Sequence, residues 1–134
     1  MSGETSLEKL LKNISPNLKD GVYVFCTLCA DKLKGLDVTP AGSFMEDEGM
    51  TLILPKSEAE KHKLEYSFPS RMITLSVHSS LEAVGFLAAV TDRLASAGIS
   101  VNAISAFYHD HLFVPLDRAN DAMNVLDEFL MENR

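Results

Sequence analysis

The chain has 134 residues and a mass of 14.7 kDa, with 46% hydrophobic and 23% charged residues, enough for one or two small domains with a buried core. Twelve Lys and Arg against nineteen Asp and Glu give a formal net charge of -7, which disfavours nucleic acid and anionic membranes as partners. No apolar run approaches the roughly 18–20 residues that span a bilayer, the N-terminus resembles no secretory signal, and the two cysteines are too few for a disulfide framework, so we expect a cytoplasmic protein.

The first element predicted along the chain is a short helix. Thr5 and Glu8 fit a capping box, and apolar residues follow at helical spacing until Ser15 and Pro16 end the helix. Residues 21–28 are β-branched, aromatic and apolar on both parities, which predicts a central strand covered on both faces.

The rest of the first half is more polar. Residues 31–42 contain two Gly, a Pro and mixed charge, which predicts a loop with at most one helical turn. Residues 44–45 and 50–54 predict a hairpin around the acidic turn 46–49. A capping signature at Ser57 precedes mostly charged residues, so we expect a short, solvated helix there.

The second half has clearer patterns. Residues 72–77 predict a strand, and the Ser-x-x-Glu box ending at Glu82 predicts a helix start. That helix has apolar residues at three- and four-residue intervals and ends at Gly98. Residues 99–108 and 112–116 predict two strands joined by a short connection.

The last predicted element is a helix that begins after Asp117, which we expect to be its cap. One stripe of this helix is apolar and covers a face of the sheet, formed by Ala119, Ala122, Met123, Leu126, Phe129 and Leu130. The order strand, helix, strand, strand, helix is an α+β, ferredoxin-like βαββαβ unit without its final strand. We expect the first half to supply that strand.

Three runs of residues resemble a known module. GISVNAIS at residues 98–105 and DHLFV at 110–114 are similar to the second and third strands of an ACT module. SSLEAVGFL at residues 79–87 resembles the strand-to-helix turn in the regulatory regions of aspartate kinases and related amino-acid sensors. Overall the chain resembles small stand-alone bacterial proteins of two ACT-like modules. Residues 1–70 would hold the N-terminal helix and a degenerate first module, and residues 71–134 the second.

This resemblance implies a non-enzymatic regulatory protein that holds a free amino acid at the interface of two ACT modules, and therefore a homo-oligomer, a dimer or higher, or a pseudo-dimer. We expect no cofactor, no metal and no catalytic residue. The ligand-binding residues predicted from it are Ser79, Ser80, Leu81, Glu82, Val84, Gly85, Phe86, Asn102, Ala103, Ile104 and Asp110.

The chemistry of such a site also follows from the residue types. A helix N-terminus offers unpaired N–H groups to a carboxylate, and Gly85 would let a ligand approach. Glu82, Asp110 and Asn102 could accept from an ammonium group. Two of them also have a structural interpretation, Glu82 as part of a capping box and Asp110 as a turn residue. Asn102 lies in a predicted strand, where Asn is disfavoured, and this favours a specific hydrogen bond and a functional role.

Two residue pairs are compatible with other chemistry. Cys26 and Cys29 have the spacing of a redox or zinc pair, and His109 and His111 could hold a metal in a strand. No nucleophile elbow, phosphate-binding glycine loop or basic RNA-binding strand occurs. The alternative function is an interaction module that has lost ligand binding and assembles with an unlinked enzyme.

Overall fold

The structure is a computed structural model that describes residues 3, 5–76, 80 and 83–133. The chain forms two compact units, one from the residues up to Asp20 together with those from Arg71 onward, and the other from Gly21–Ser70. In chain order the elements are α1 (Leu7–Asn13), β1 (Pro16–Leu18), β2 (Tyr23–Leu28), α2 (Ala30–Leu33), β3 (Gly42–Glu46), β4 (Gly49–Pro55), α3 (Lys56–Lys61), β5 (Ser67–Leu75), α4 (Phe86–Ser96), β6 (Asn102–Ser105), β7 (Asp110–Pro115) and α5 (Ala119–Glu132).

The Gly21–Ser70 unit has the strand order β3-β4-β2 followed by the first residues of β5. The predicted hairpin is confirmed, with Glu46 paired to Gly49 at its end. A Cβ on Gly49 would lie 2.9 Å from the Leu28 carbonyl oxygen, so the close approach of these two backbones requires glycine. The helices of this unit, α2 and α3, are short, as expected for a degenerate module.

The other unit completes its sheet with a strand from the N-terminal region. β1 pairs antiparallel with β5, matching Pro16 to Leu75 and Leu18 to Ile73, and the order continues through β7 to β6. The strand missing from the second half of the sequence is therefore supplied by the first half. α1 also belongs to this unit, because Leu10 and Ile14 are buried in its core. The ferredoxin-like α+β fold is confirmed.

The core of this unit lies between the sheet and three helices. Strand residues that point to one face pack against α1, α4 and α5, and the largest of them are Ile73, Leu75, Leu112 and Val114. On α5 the predicted stripe is confirmed, with Ala119, Ala122, Leu126 and Leu130 buried. Among the described residues, no helix combines the length and apolar character that crossing a bilayer requires.

Several local predictions are wrong. β2 is a central strand, but only one of its faces is fully buried, because Thr27 is exposed and Tyr23 and Phe25 are half-buried. The N-cap of α1 is Ser6, whose Oγ accepts from the Lys9 N–H, one residue later than predicted. Asp117 does not cap α5, because a 3₁₀ turn at Leu116–Arg118 separates it from the helix start.

The start of α4 is also later than predicted. The capping box ending at Glu82 predicts a helix from about residue 80, but α4 begins at Phe86 with Gly85 as its N-cap. Gly85 has a φ of 85°, in the left-handed region, so the chain enters the helix through a turn that favours glycine. Strand β6 is shorter than predicted, and Asp110 lies in β7 instead of in the connection.

Candidate functional site

A cavity of about 60 Å³ lies between the approach to α4 and the β6–β7 hairpin, within one compact unit. Ser80, Ala83, Phe86 and Leu87 line one side of it. Ser105, Ala106 and Asp110 line the other side. Since one water needs about 10–15 Å³ of such volume, the cavity has room for a group of a few heavy atoms.

The helix side of the cavity is electropositive. The first N–H that bonds within α4 is that of Ala89, which donates to the Gly85 carbonyl at 2.9 Å. The amides of Phe86, Leu87 and Ala88 come before it and have no partner inside the helix. The N-cap makes no side-chain hydrogen bond, and the first turn has no acidic residue. The partial positive charge of this eleven-residue helix is therefore not offset by its own side chains.

The hairpin side of the cavity carries a buried carboxylate. Asp110 is the first residue of β7 and is only 5% exposed. Its cross-strand neighbour is Ser105, and Ser105 Oγ donates a 2.6 Å hydrogen bond to Asp110 Oδ1. A carboxylate attracts cations and accepts hydrogen bonds from ammonium groups, so its place at the cavity wall suits a cationic group inside the cavity.

The structure thus brings three of the predicted residues, Ser80, Phe86 and Asp110, to one cavity. Val84 is 83% exposed, and Gly85 lies beside them as the N-cap of α4. Ser79, Leu81 and Glu82 lie outside the described residues. The predicted list therefore remains a prediction as a set.

The remaining predicted residues lie in β6. Two of its residues alternate with two others in their pairing to β7. Ala103 pairs with Leu112 and Ser105 with Asp110. Asn102 pairs with Phe113 and Ile104 with His111. Leu112 faces the helices, so by strand alternation Ala103 shares the side of Asp110, and Asn102 and Ile104 point to the opposite face. Within this unit, Asn102 and Asp110 do not converge.

The sequence did not indicate four lining residues: Ala83, Leu87, Ser105 and Ala106. Ser105 could have been found from the hairpin register, because it is directly opposite Asp110. The sequence pattern places Asp110 in the connection instead of in β7, so it does not indicate this pairing.

The histidines of the hairpin have a different environment. His111 Nδ1 lies 2.9 Å from Thr74 Oγ1, and its ring is 6.4 Å from that of His109. Burial lowers the pKa of His111 most, the electrostatic interactions with His109 and Lys19 lower it further, and Asp110 opposes this effect. In the part of the chain that the structure describes, no three His, Cys, Asp or Glu side chains are grouped as metal ligands.

The two cysteines differ in burial. Cys26 is a core residue of β2, and burial raises the pKa of its thiol. Cys29 is exposed at the start of α2, a helix of four residues. A raised pKa disfavours the thiolate that redox chemistry requires.

Comparison with known proteins adds two sequence matches. The ACT domain profiles match residues 2–71 and residues 67–128. No curated protein shows significant similarity to the chain.

Solved structures give a further comparison. A Vibrio cholerae protein of unknown function, described as a possible transport protein, is 44% identical, with 94% of this chain and 97% of that chain covered and a TM-score of 0.81. The regulatory subunit of aspartate kinase from Thermus flavus is 9% identical, with 96% of this chain and 99% of that chain covered and a TM-score of 0.61. Aspartate kinase from Clostridium acetobutylicum is 10% identical, with 89% of this chain but 34% of that chain covered and a TM-score of 0.65. The last two show a shared fold.

Proposed function

Since the chain belongs to the ACT domain family, we propose that it is a non-enzymatic regulatory protein that binds a free amino acid. The fold shared with the regulatory subunit of an aspartate kinase supports a regulatory role. Both cysteines are free thiols, which agrees with a reducing compartment, and we propose a cytoplasmic location.

The observation that carries this proposal is the cavity at the start of α4. On one side it has the first amides of α4, which have no acceptor inside the helix, and on the other it has the Asp110 carboxylate. A zwitterion presents the complementary pair, a carboxylate for the amides and an ammonium for Asp110. Phe86, Leu87 and Ala83 supply apolar wall, which suits the α-carbon and the first side-chain atoms.

We further propose that a second copy of the chain completes the site. β6 is an edge strand that pairs only with β7 among the described strands, and all four of its residues are exposed. Residues 98–108 contain no charged side chain, so two copies of a chain with net charge -7 could approach there without direct repulsion. A ligand between two modules would favour one packing of them, which is a means of regulation.

The alternative proposal is an interaction module without a ligand. Phe107 and Tyr108 favour it, because both rings are exposed at the hairpin tip and lie edge to face with centroids 5.0 Å apart. Exposed aromatic side chains are common at protein interfaces. On this hypothesis, substitution of both rings by Ser would abolish partner binding. Free amino acids would have no effect on the chain.

The test of the main proposal is thermal unfolding of the purified chain with each standard amino acid. A ligand at one hundred times its dissociation constant adds about 2.7 kcal/mol to the unfolding free energy. For a chain of this size that raises the midpoint by on the order of ten degrees. An amino acid that stabilises the chain is then compared with its methyl ester and its N-acetyl derivative.

Loss of the shift with both derivatives supports recognition of a zwitterion. An unchanged midpoint with every amino acid would reject the proposal. So would a shift with the ester and the N-acetyl form as large as that with the amino acid itself. Analytical ultracentrifugation of the wild type and of Ile104→Lys, with and without ligand, tests whether the β6 edge holds two copies together.

A further inference from the structure

The Gly21–Ser70 unit contains a second, larger cavity of about 440 Å³. It lies between α2 and the end of the β3–β4 hairpin, and the proposed amino-acid site does not include it. Its volume is within the range of about 300–1,000 Å³ that is usual for small-molecule sites.

The walls of this cavity are largely apolar. Leu33 of α2, Met45 of β3 and Met50 of β4 contribute to them. Met45 is 77% exposed, so most of its side chain is accessible to a ligand. Methionine side chains adapt to ligands of different shapes, because they are unbranched and polarizable.

Acidic residues of the hairpin turn also line the cavity, namely residues 46–48. Glu46 accepts a hydrogen bond from Thr51 Oγ1. Asp47 and Glu48 are exposed, and no cationic side chain of the described residues forms an ion pair with either. Their negative charge is therefore not neutralised locally, which disfavours an anionic ligand and favours a cationic one.

We propose that this cavity binds an organic ammonium ion with an aliphatic or aromatic body. Asp47 and Glu48 attract the ammonium group, and Leu33, Met45 and Met50 contact the apolar body. The proposal combines apolar walls, volume and charge complementarity, and it does not depend on an amino acid binding elsewhere in the chain.

The test uses n-hexylammonium chloride as probe and methionine methyl groups as reporters. In a chain labelled with 13C at the methionine methyls, the Met45 and Met50 signals report on the cavity. Met123 and Met131 of α5 are matched reporters outside it. The Met45→Leu and Met50→Leu variants assign the two signals. Neutral n-hexanol and anionic hexanoate are probes of the same apolar length.

We expect hexylammonium to shift the Met45 and Met50 signals in a saturable way and to leave Met123 and Met131 unchanged. Hexanol binds more weakly, and hexanoate weakest. The Asp47→Asn/Glu48→Gln variant raises the half-saturating hexylammonium concentration by about two- to fivefold, the usual effect of exposed ion pairs. Asp127→Asn/Glu128→Gln, which removes the same charge from α5, leaves it unchanged.

Three results would overturn the proposal. The first is no saturable shift up to about 10 mM, tenfold above a millimolar dissociation constant. The second is equal binding of the three probes, which would show apolar binding that does not depend on the charge of the ligand. The third is an equal effect of the two charge variants, which would attribute binding to net charge alone.

Discussion

Ser105 Oγ and Asp110 Oδ1 form a 2.6 Å hydrogen bond between neighbouring strands, at the wall of the cavity that faces the start of α4. This bond orients a carboxylate that is almost fully buried. It places the only acidic group among the described lining residues opposite the helix amides.

Asp110→Asn keeps the shape of the side chain and removes its charge. We expect it to weaken amino-acid binding by about 10- to 100-fold, since hydrogen bonds to charged groups contribute roughly 1.5–3 kcal/mol. Isothermal titration calorimetry with the amino acid identified by thermal unfolding measures this change. Ser105→Ala is the control, because it keeps the charge and should weaken binding less. Equal affinities of wild type and Asp110→Asn would contradict the role given to the carboxylate.

Gly85→Ala should destabilise the chain through its backbone. A Cβ at this position meets only Leu7 Cδ2, at 3.7 Å, so the cost is conformational and not steric. A non-glycine residue in the left-handed region costs about 1–2 kcal/mol. Urea unfolding should show this loss for Gly85→Ala and a smaller one for Gly85→Asn, because Asn tolerates that region better. An alanine variant as stable as the wild type would contradict a left-handed Gly85 at the start of α4.

Leu10→Ala tests whether the N-terminal helix is part of the main core. Leu10 is fully buried with Ile73, Leu75 and Val90, so we expect a loss of about 2–5 kcal/mol in unfolding free energy. Leu7, on the same helix, is partly exposed, and Leu7→Ala should cost less than half as much. If Leu10→Ala and Leu7→Ala lowered the unfolding free energy equally, or not at all, α1 would not contribute its buried face to this core.

His111 should make stability depend on pH. Its pKa is lowered in the folded chain, chiefly by burial, below the ordinary value of 6.5. The unfolded chain therefore binds the proton more readily, and the contribution of neutral His111 is present above pH 6.5 and lost as pH falls through the folded pKa. Urea unfolding between about pH 7.5 and 5 should show a larger loss for the wild type than for His111→Gln. An equal loss of unfolding free energy for the wild type and His111→Gln over this pH range would contradict this prediction.

The sequence predicted the packing of individual elements well where periodicity was long. The spacing of Phe86, Val90 and Leu94 identified the buried face of α4, and the same holds for α5. It did not locate the helix start, because a Ser-x-x-Glu box is a local signal that many chains satisfy without a helix. Gly85, in a left-handed conformation, determines the entry instead.

Non-local features were harder to predict. β1 has three residues, too few for any alternation, and its pairing with β5 joins positions more than fifty residues apart. The candidate cavity combines residues before α4 with residues of the hairpin, so its lining depends on strand register. Because side chains alternate between faces, the same register separates Asn102 from Asp110.

The most direct test of amino-acid binding at the start of α4 is an amide NMR titration of the full chain with each standard amino acid. We expect saturable shifts of the Phe86, Leu87, Ala106 and Asp110 amides with at least one amino acid, and their loss in Asp110→Asn. Amino-acid binding at this cavity would be contradicted if these amides did not move with any amino acid, or if the responding amides lay elsewhere in the chain.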